Sequence, residues 1–212
     1  MVQQFKKVLV LAPHTDDGEL GAGGTIAKLI ENGSSVTYVA FSTAEKSLPE
    51  GLPKDTLTIE VKAATMALGI APENLIIKNY EVRKLNYSRQ DILEELIALR
   101  NKNSFDLVLV PSSFDIHQDH ATVRDEALRA FKNSTILGYE LVWNNFTSSS
   151  VCINVLDEKH LEKKIESLSK YKSQNFRSYL SEEFIRSLAI VRGTQIGVQF
   201  AEAFEVIRLI IR

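Results

Sequence analysis

Apolar residues in the first two-thirds of the chain follow two alternating patterns. Short, near-continuous Val/Ile/Leu-rich runs occupy 7–12, 35–42, 74–79 and 105–111, as in strands buried on both faces. Between them, over 21–32, 58–68, 89–101 and 120–131, the pattern is helical, with apolar residues gathered on an inner stripe. Over 89–101 that stripe is Ile92, Leu93, Leu96, Ile97 and Leu99. Gly33 and Gly69 follow the first two helical stretches, where a left-handed C-cap residue belongs. Strands alternating with helices predict a parallel sheet covered on both faces. Right-handed crossovers then carry the carboxyl ends of its strands to one edge.

The last third changes character. Strands are predicted over 136–142 and 150–155, around a polar loop, Asn144-Asn145-Phe146-Thr147. A helix over 158–173 places Leu161, Ile165 and Leu168 on one face. Another over 181–191 starts with Ser181 as N-cap and Glu182 and Glu183 in its first turn. A β-rich run over 204–211 closes the chain, and its Leu209, Ile210 and Ile211 either finish the sheet or pair across subunits of a homo-oligomer. No repeat, low-complexity tract or Pro/Gly-rich linker divides the chain. We therefore expect one α/β domain over residues 1–212, a Rossmann-like three-layer sandwich with a mainly parallel sheet and helices on both faces.

Composition removes several function classes. With 44% hydrophobic and 25% charged residues and a net charge of −2, the chain lacks the basic footprint that nucleic acid or an anionic membrane requires. Residues 1–7 lead into a strand with no signal-peptide core, and no stretch approaches the roughly 18 apolar residues of a membrane span. A cytoplasmic protein without membrane insertion is expected. Cys152 is the single cysteine, so no intramolecular disulfide forms; between Val151 and Ile153 it reads as a small core residue of a buried strand. Metal ligands are left to His, Asp and Glu.

The candidate chemistry lies at two predicted strand ends. Pro13-His14-Thr15-Asp16-Asp17 follows Val8-Leu9-Val10-Leu11-Ala12, and His117-Gln118-Asp119-His120 comes after Leu107-Val108-Leu109-Val110-Pro111. An open α/β sheet puts its active site beyond such ends. Asp16 and Asp17 are adjacent and point different ways, so they have different tasks. His14 and Asp17, three apart, can meet at one point. If they hold a divalent metal, Asp16 stays free to take a proton from a water that the ion activates. One imidazole of the second cluster completes a facial His/Asp/His set; the residues alone leave open whether it is His117 or His120. By itself, a His-x-Asp-Asp after a strand is more often a turn with a helix N-cap. Two such clusters at two strand ends favour the metal. His160, in the charged start of a predicted helix, reads as a surface residue.

The stretch Gly18-Glu19-Leu20-Gly21-Ala22-Gly23-Gly24 is not a dinucleotide site. Its third glycine is replaced by Ile26, and the second strand ends in Phe41-Ser42 with no acid for a ribose. No nucleotide cofactor is expected; the glycines let the first helix pack closely on the sheet.

The two clusters resemble the motifs of the LmbE-like, or PIG-L, family of metal-dependent de-N-acetylases, Pro-His-x-Asp-Asp and His-x-Asp-His. Gly18-Glu19, Gly23-Gly24, Glu60, Ala64, Leu68-Gly69, Arg192-Gly193 and Ala201-Glu202-Ala203-Phe204 extend the likeness over nearly the whole chain. The resemblance implies Zn²⁺ on His14, Asp17 and His120, with Asp16 as general base. It implies that His117 stabilises the tetrahedral intermediate or assists the leaving amine, oriented by Asp119. A His/Asp/His set also suits Fe²⁺. The implied reaction removes acetyl from N-acetylglucosamine carried on a lipid, inositol or small-acid aglycone, so a small-molecule amino-sugar conjugate is the expected partner. The chain departs from many relatives in lacking an arginine over 55–59, ahead of Glu60, and in having Phe200 where several have tyrosine. Trp143-Asn144-Asn145-Phe146 offers an aromatic face and amides to a sugar, unless Trp143 is simply buried. The rival expectations are a metal-free glycosidase using Asp16 and Asp119 and a non-catalytic sugar- or metal-binding module.

Overall fold

A computed structural model describes residues 5–147 and 150–211 and gathers them around one seven-stranded mixed sheet. β1 (Lys7–His14) is flanked in parallel by β2 (Ser35–Ser42) and β4 (Leu107–Pro111). β3 (Leu75–Ile77) and β5 (Thr135–Tyr139) continue the parallel pairing outward on either side. Beyond β5 the direction reverses: β7 (Phe200–Arg208) runs antiparallel to β5, and β6 (Ser150–Leu156) antiparallel to β7. The order is β3-β2-β1-β4-β5-β7-β6. Progress along the sheet thus reverses at β1 and β4, where α/β sheets open a crevice.

Helices cover both faces. α1 (Asp17–Glu31), α2 (Thr56–Leu68), α5 (Glu158–Leu168) and α6 (Glu182–Thr194) share one apolar core. α3 (Arg89–Lys102) and α4 (Gln118–Ala130) share the other. Alternation along β1 explains this: Val8, Val10 and Ala12 enter the first core, and Leu9 and Leu11 the second. Each such fully buried large side chain contributes about 1.5–3 kcal/mol, so a strand buried on both faces anchors both layers.

Several predicted ends move. α1 begins at Asp17 rather than at residue 21. A Cβ on Gly21 would stand 2.3 Å from the Tyr139 ring, so α1 meets the sheet through glycine, as expected, and the early turn carries no apolar periodicity to announce it. α5 stops at Leu168 rather than 173, because Tyr171 turns inward and is buried. β7 spans Phe200–Arg208 rather than 204–211. The Ile210 N–H then bonds Thr135 Oγ1 at 3.1 Å, so the tail is tied to the sheet within the chain. Gly33 and Gly69 have the positive φ of C-caps, 86° and 93°.

Two expectations are corrected. His160 is buried, not on the surface: α5 packs on α1, which sets His160 Nε2 2.6 Å from Glu31 Oε2, while His160 Nδ1 accepts from the Asp157 N–H at 3.1 Å. Cys152 is half-buried against the core, but its strand lies at the sheet edge, with Val151 exposed. The C-terminal residues that carry the family likeness work as clamps. Glu202 accepts from the Gly24 and Thr25 N–H groups at 3.0 and 2.7 Å and pairs with buried Lys164 at 2.7 Å. Arg192 forks onto Glu140 at 2.7 and 2.6 Å. No helix among the described residues is long and apolar enough to cross a membrane. The first four residues of the segment read for a signal peptide lie outside the described ones.

Candidate active site

Because β1 and β4 are parallel neighbours, their carboxyl ends stand side by side. His14 closes β1, Thr15 and Asp16 turn the chain, and Asp17 opens α1. From β4 the chain passes Asp115 and reaches His117, which caps α4 with its own ring by accepting the Asp119 N–H on Nδ1 at 3.1 Å. His120 follows one turn into α4. Residues more than a hundred apart in sequence meet here.

Three donor atoms form a tight triangle. Asp17 Oδ2 lies 3.0 Å from His14 Nδ1 and 3.3 Å from His120 Nε2, and the two nitrogens are 3.2 Å apart. Ligands about 2.1 Å from one ion at tetrahedral or octahedral angles stand roughly 3.0–3.4 Å from one another, so these donors fit a divalent cation. Each histidine is held on its far side by a carboxylate: His14 Nε2 by Asp119 Oδ2 at 3.1 Å, and His120 Nδ1 by Asp115 Oδ2 at 2.7 Å. Metal-binding histidines are oriented in this way. His117 stacks on His120 with ring centroids 4.4 Å apart. His14, His117 and His120 also offer nitrogens within 4.8 Å of one another, a looser three-histidine grouping.

Charge points the same way. Burial works against protonation of His14 and His120, yet Asp17 and the carboxylates behind the rings raise them to about 9 and about 10. Burial would raise Asp17, and the two histidines outweigh it and hold its carboxyl far below the usual range. The carboxylates around the two rings thus favour positive charge at this point of the cavity. Asp16 stands apart: burial and the neighbouring Asp17 push it up to about 6, and no ion pair reaches it among the described residues. Burial and the other two histidines lower His117 to about 4, so its ring is neutral. With Nδ1 accepting, the remaining proton sits on Nε2.

The structure thus brings together every residue expected at the site, and it specifies one relationship. Asp119 was expected to orient His117; its carboxylate faces His14 and accepts the Arg83 and Leu85 N–H groups at 2.6 and 3.1 Å. His117 is oriented by the Asp119 main chain, because a residue at an N-cap faces the free N–H groups of its own helix. Sequence reasoning missed Asp115, whose signal was its place in the same strand-end loop. It also missed the floor. Tyr38 and Tyr171 hydroxyls reach the Thr15 carbonyl at 3.0 and 2.7 Å, and both also touch Glu19. Burial pushes Glu19 up to about 8, so a neutral acid shares its proton in that cluster.

Above the donors opens a pocket of about 290 Å³ lined by Asp16, His117, Arg83, Trp143, Arg177 and Tyr179, among others. Trp143 is half-buried and stacks on Tyr179 at 3.9 Å, so it forms pocket wall and has one face already covered. Glu60 accepts the Ser173 N–H and hydroxyl at 2.8 and 2.6 Å and fixes the turn that carries Gln174 beside this pocket.

Residues 9–131, more than half of the chain, match the family PIG-L: GlcNAc-PI de-N-acetylase. The chain is 28% identical over 123 residues to the diacetylchitobiose deacetylase of Thermococcus kodakarensis, covering 54% of this chain and 45% of that protein. The match therefore spans less than half the length of that relative. The solved structure of N,N'-diacetylchitobiose deacetylase from Pyrococcus horikoshii superposes with a TM-score of 0.75 at 25% identity, over 95% of this chain and 83% of that one. GalB, the 4-carboxy-2-hydroxymuconate hydratase of Pseudomonas putida KT2440, superposes with a TM-score of 0.78 at 20% identity, over 98% of each chain, a likeness of fold alone.

Proposed function

The chain belongs to the PIG-L, GlcNAc-PI de-N-acetylase, family, and from that premise we propose that it hydrolyses the N-acetyl group of an N-acetylglucosamine-type conjugate, releasing acetate and a free amine. The observation that carries this reading is the triangle of His14 Nδ1, Asp17 Oδ2 and His120 Nε2 with Asp16 beside it. These three residues would hold Zn²⁺, or Fe²⁺ in its place. When bound, the ion supplies Lewis acidity toward the acetyl carbonyl and makes a nearby water more acidic.

The chain's own groups do the rest. Asp16, with its carboxyl near 6, is largely ionised at neutral pH and takes a proton from the attacking water. It then returns that proton to the departing amine nitrogen. His117 donates its Nε2 proton in a hydrogen bond to the oxygen of the tetrahedral intermediate. Asp115 and Asp119 keep the rings of His120 and His14 aimed inward. A glycosidase pairing of Asp16 with Asp119 lacks support, since Asp119 is fully buried and both its oxygens are taken. The Rossmann-like three-layer description of the fold and a cytoplasmic setting belong to the same proposal; the sheet order and the composition support them.

The test is acetate release from a panel of N-acetylglucosamine conjugates, with metal content measured on the same preparation. Turnover is expected to vanish on chelation and return with Zn²⁺. Full turnover by metal-free protein, or a panel that yields no acetate, would sink the reading.

A further inference from the structure

Among the described residues, two that are not glycine have positive φ: Ala44 at 48° and Arg83 at 67°. Both line the pocket above the histidines. Arg83 is the third residue of a turn closed by the Lys84 N–H on the Glu81 carbonyl at 3.1 Å, a position and φ that a type II turn ordinarily gives to glycine. A long side chain held in that region is strained, and such strain persists where function uses it. The fold's own demands here are met by the backbone alone. The Arg83 N–H serves Asp119 at 2.6 Å, and its carbonyl accepts from Gln118 Nε2 at 3.4 Å. Glycine would make the same bonds. What arginine adds is a guanidinium in the pocket.

That guanidinium bonds only Ser47 Oγ, at 3.2 Å, and no carboxylate pairs with it among the described residues. A second guanidinium, Arg177, lines the same pocket. Its Nε donates to Gln174 Oε1 at 2.8 Å and its Nη1 to Tyr179 Oη at 2.7 Å, which fixes the group without a direct ion pair, Asp16 being the carboxylate that feels its charge. The pocket's two carboxylates do not cancel this pair: Asp17 is engaged by His14 and His120, and only Asp16 is left. Two guanidiniums without an ion pair, Arg177 fixed by two hydrogen bonds and Arg83 exposed at the rim, suit a phosphate or a carboxylate.

Resting on the deacetylase reading, we propose that Arg83 and Arg177 bind an anionic group on the aglycone, so that the conjugate this enzyme hydrolyses is negatively charged. Metal-loaded enzyme is offered N-acetylglucosamine 1-phosphate, a 2-carboxyethyl N-acetylglucosaminide and the neutral methyl N-acetylglucosaminide, and acetate is measured. At least one charged conjugate is expected to exceed the neutral one by about tenfold or more in kcat/KM, and the better of the two names the group. Arg83→Gly is expected to bring that ratio near unity without lowering Tm, because the strain is relieved; Arg177→Gln, which leaves the turn alone, should also lower it. Equal kcat/KM for charged and neutral conjugates in the unmodified enzyme, or an Arg83→Gly loss that is the same for both, overturns the proposal. If no conjugate releases acetate, the deacetylase reading fails and calorimetry on the corresponding free amines still decides. Tighter, Arg83-dependent binding of the charged amines then sustains the anion site, and equal binding refutes it.

Discussion

The two strand ends that meet at the site are built on opposite plans. The loop after β1 presents half-buried His14 and Asp16 to the pocket and is fastened mainly from beneath: Tyr38 and Tyr171 hold the Thr15 carbonyl, and the loop's own contribution is one bond, the His14 N–H to Asp17 Oδ2 at 2.8 Å. The loop after β4 is fastened by its own carboxylates, with Asp115 on the His117 N–H at 2.8 Å and on the His120 ring, and Asp119 on His14 and the 83–85 turn. One loop supplies a reactive acid that must stay unpaired; the other supplies rings that must not move. A carboxylate that orients a histidine is neutralised by doing so. The free acid, Asp16, therefore belongs to the loop whose support comes from neutral hydroxyls.

This contrast breaks most visibly at the two adjacent acids. Asp17→Asn removes the negative charge at the centre of the triangle, and we expect loss of bound metal with at least about a 10³-fold fall in kcat, read by metal analysis and acetate release. Asp16→Asn should keep its metal and lose about 10²–10⁴-fold in kcat, the usual worth of a general base. If both variants lose metal alike, the division of labour within the first loop is wrong. A step smaller, Asp119→Asn and Asp115→Asn should each weaken metal affinity by about 10–100-fold, because the rings of His14 and His120 lose their anchors. Unchanged affinity in both would mean that the second loop needs no carboxylates to hold its rings.

Legibility in the sequence followed the same divide. His14, Asp17 and the His117/His120 pair could be read as one cluster because each belongs to a short motif at the end of an apolar run, and a parallel sheet must bring such ends together; the choice of His120 over His117 came only from the family resemblance. The fold's alternation of strand and helix was equally plain, since it depends on local periodicity. What supports the site was hidden. Tyr171 lies 156 residues from the carbonyl it holds, and nothing in its surroundings points to Thr15. Glu19, ahead of the helix expected from residue 21, carries no local sign of burial, whereas the glycines around it press that turn into the core. His160 was misread for a related reason: a charged first turn resembles a solvent face until another helix packs on it. Asp119 shows the limit within a motif, because spacing tells that it is near both histidines and not which of them its carboxylate meets.

The smallest effect tests the floor of the first loop. Tyr171→Phe removes one of two hydroxyls on the Thr15 carbonyl and one contact to Glu19 Oε1, and creates no cavity. The carbonyl keeps Tyr38, which also receives the Gly18 N–H at 3.2 Å, so one bond is lost and the loop's path is not. The expected cost is about 1 kcal/mol of unfolding free energy, the net worth of a single buried hydrogen bond, measured by denaturant titration. Metal affinity should change by less than about threefold, since no ligand-orienting bond is touched, in contrast to the Asp119 and Asp115 variants. A tenfold or greater loss of metal affinity in Tyr171→Phe would show that the hydroxyl floor sets the position of Asp17, and the opposition between a loop held from below and a loop that holds itself would then fail.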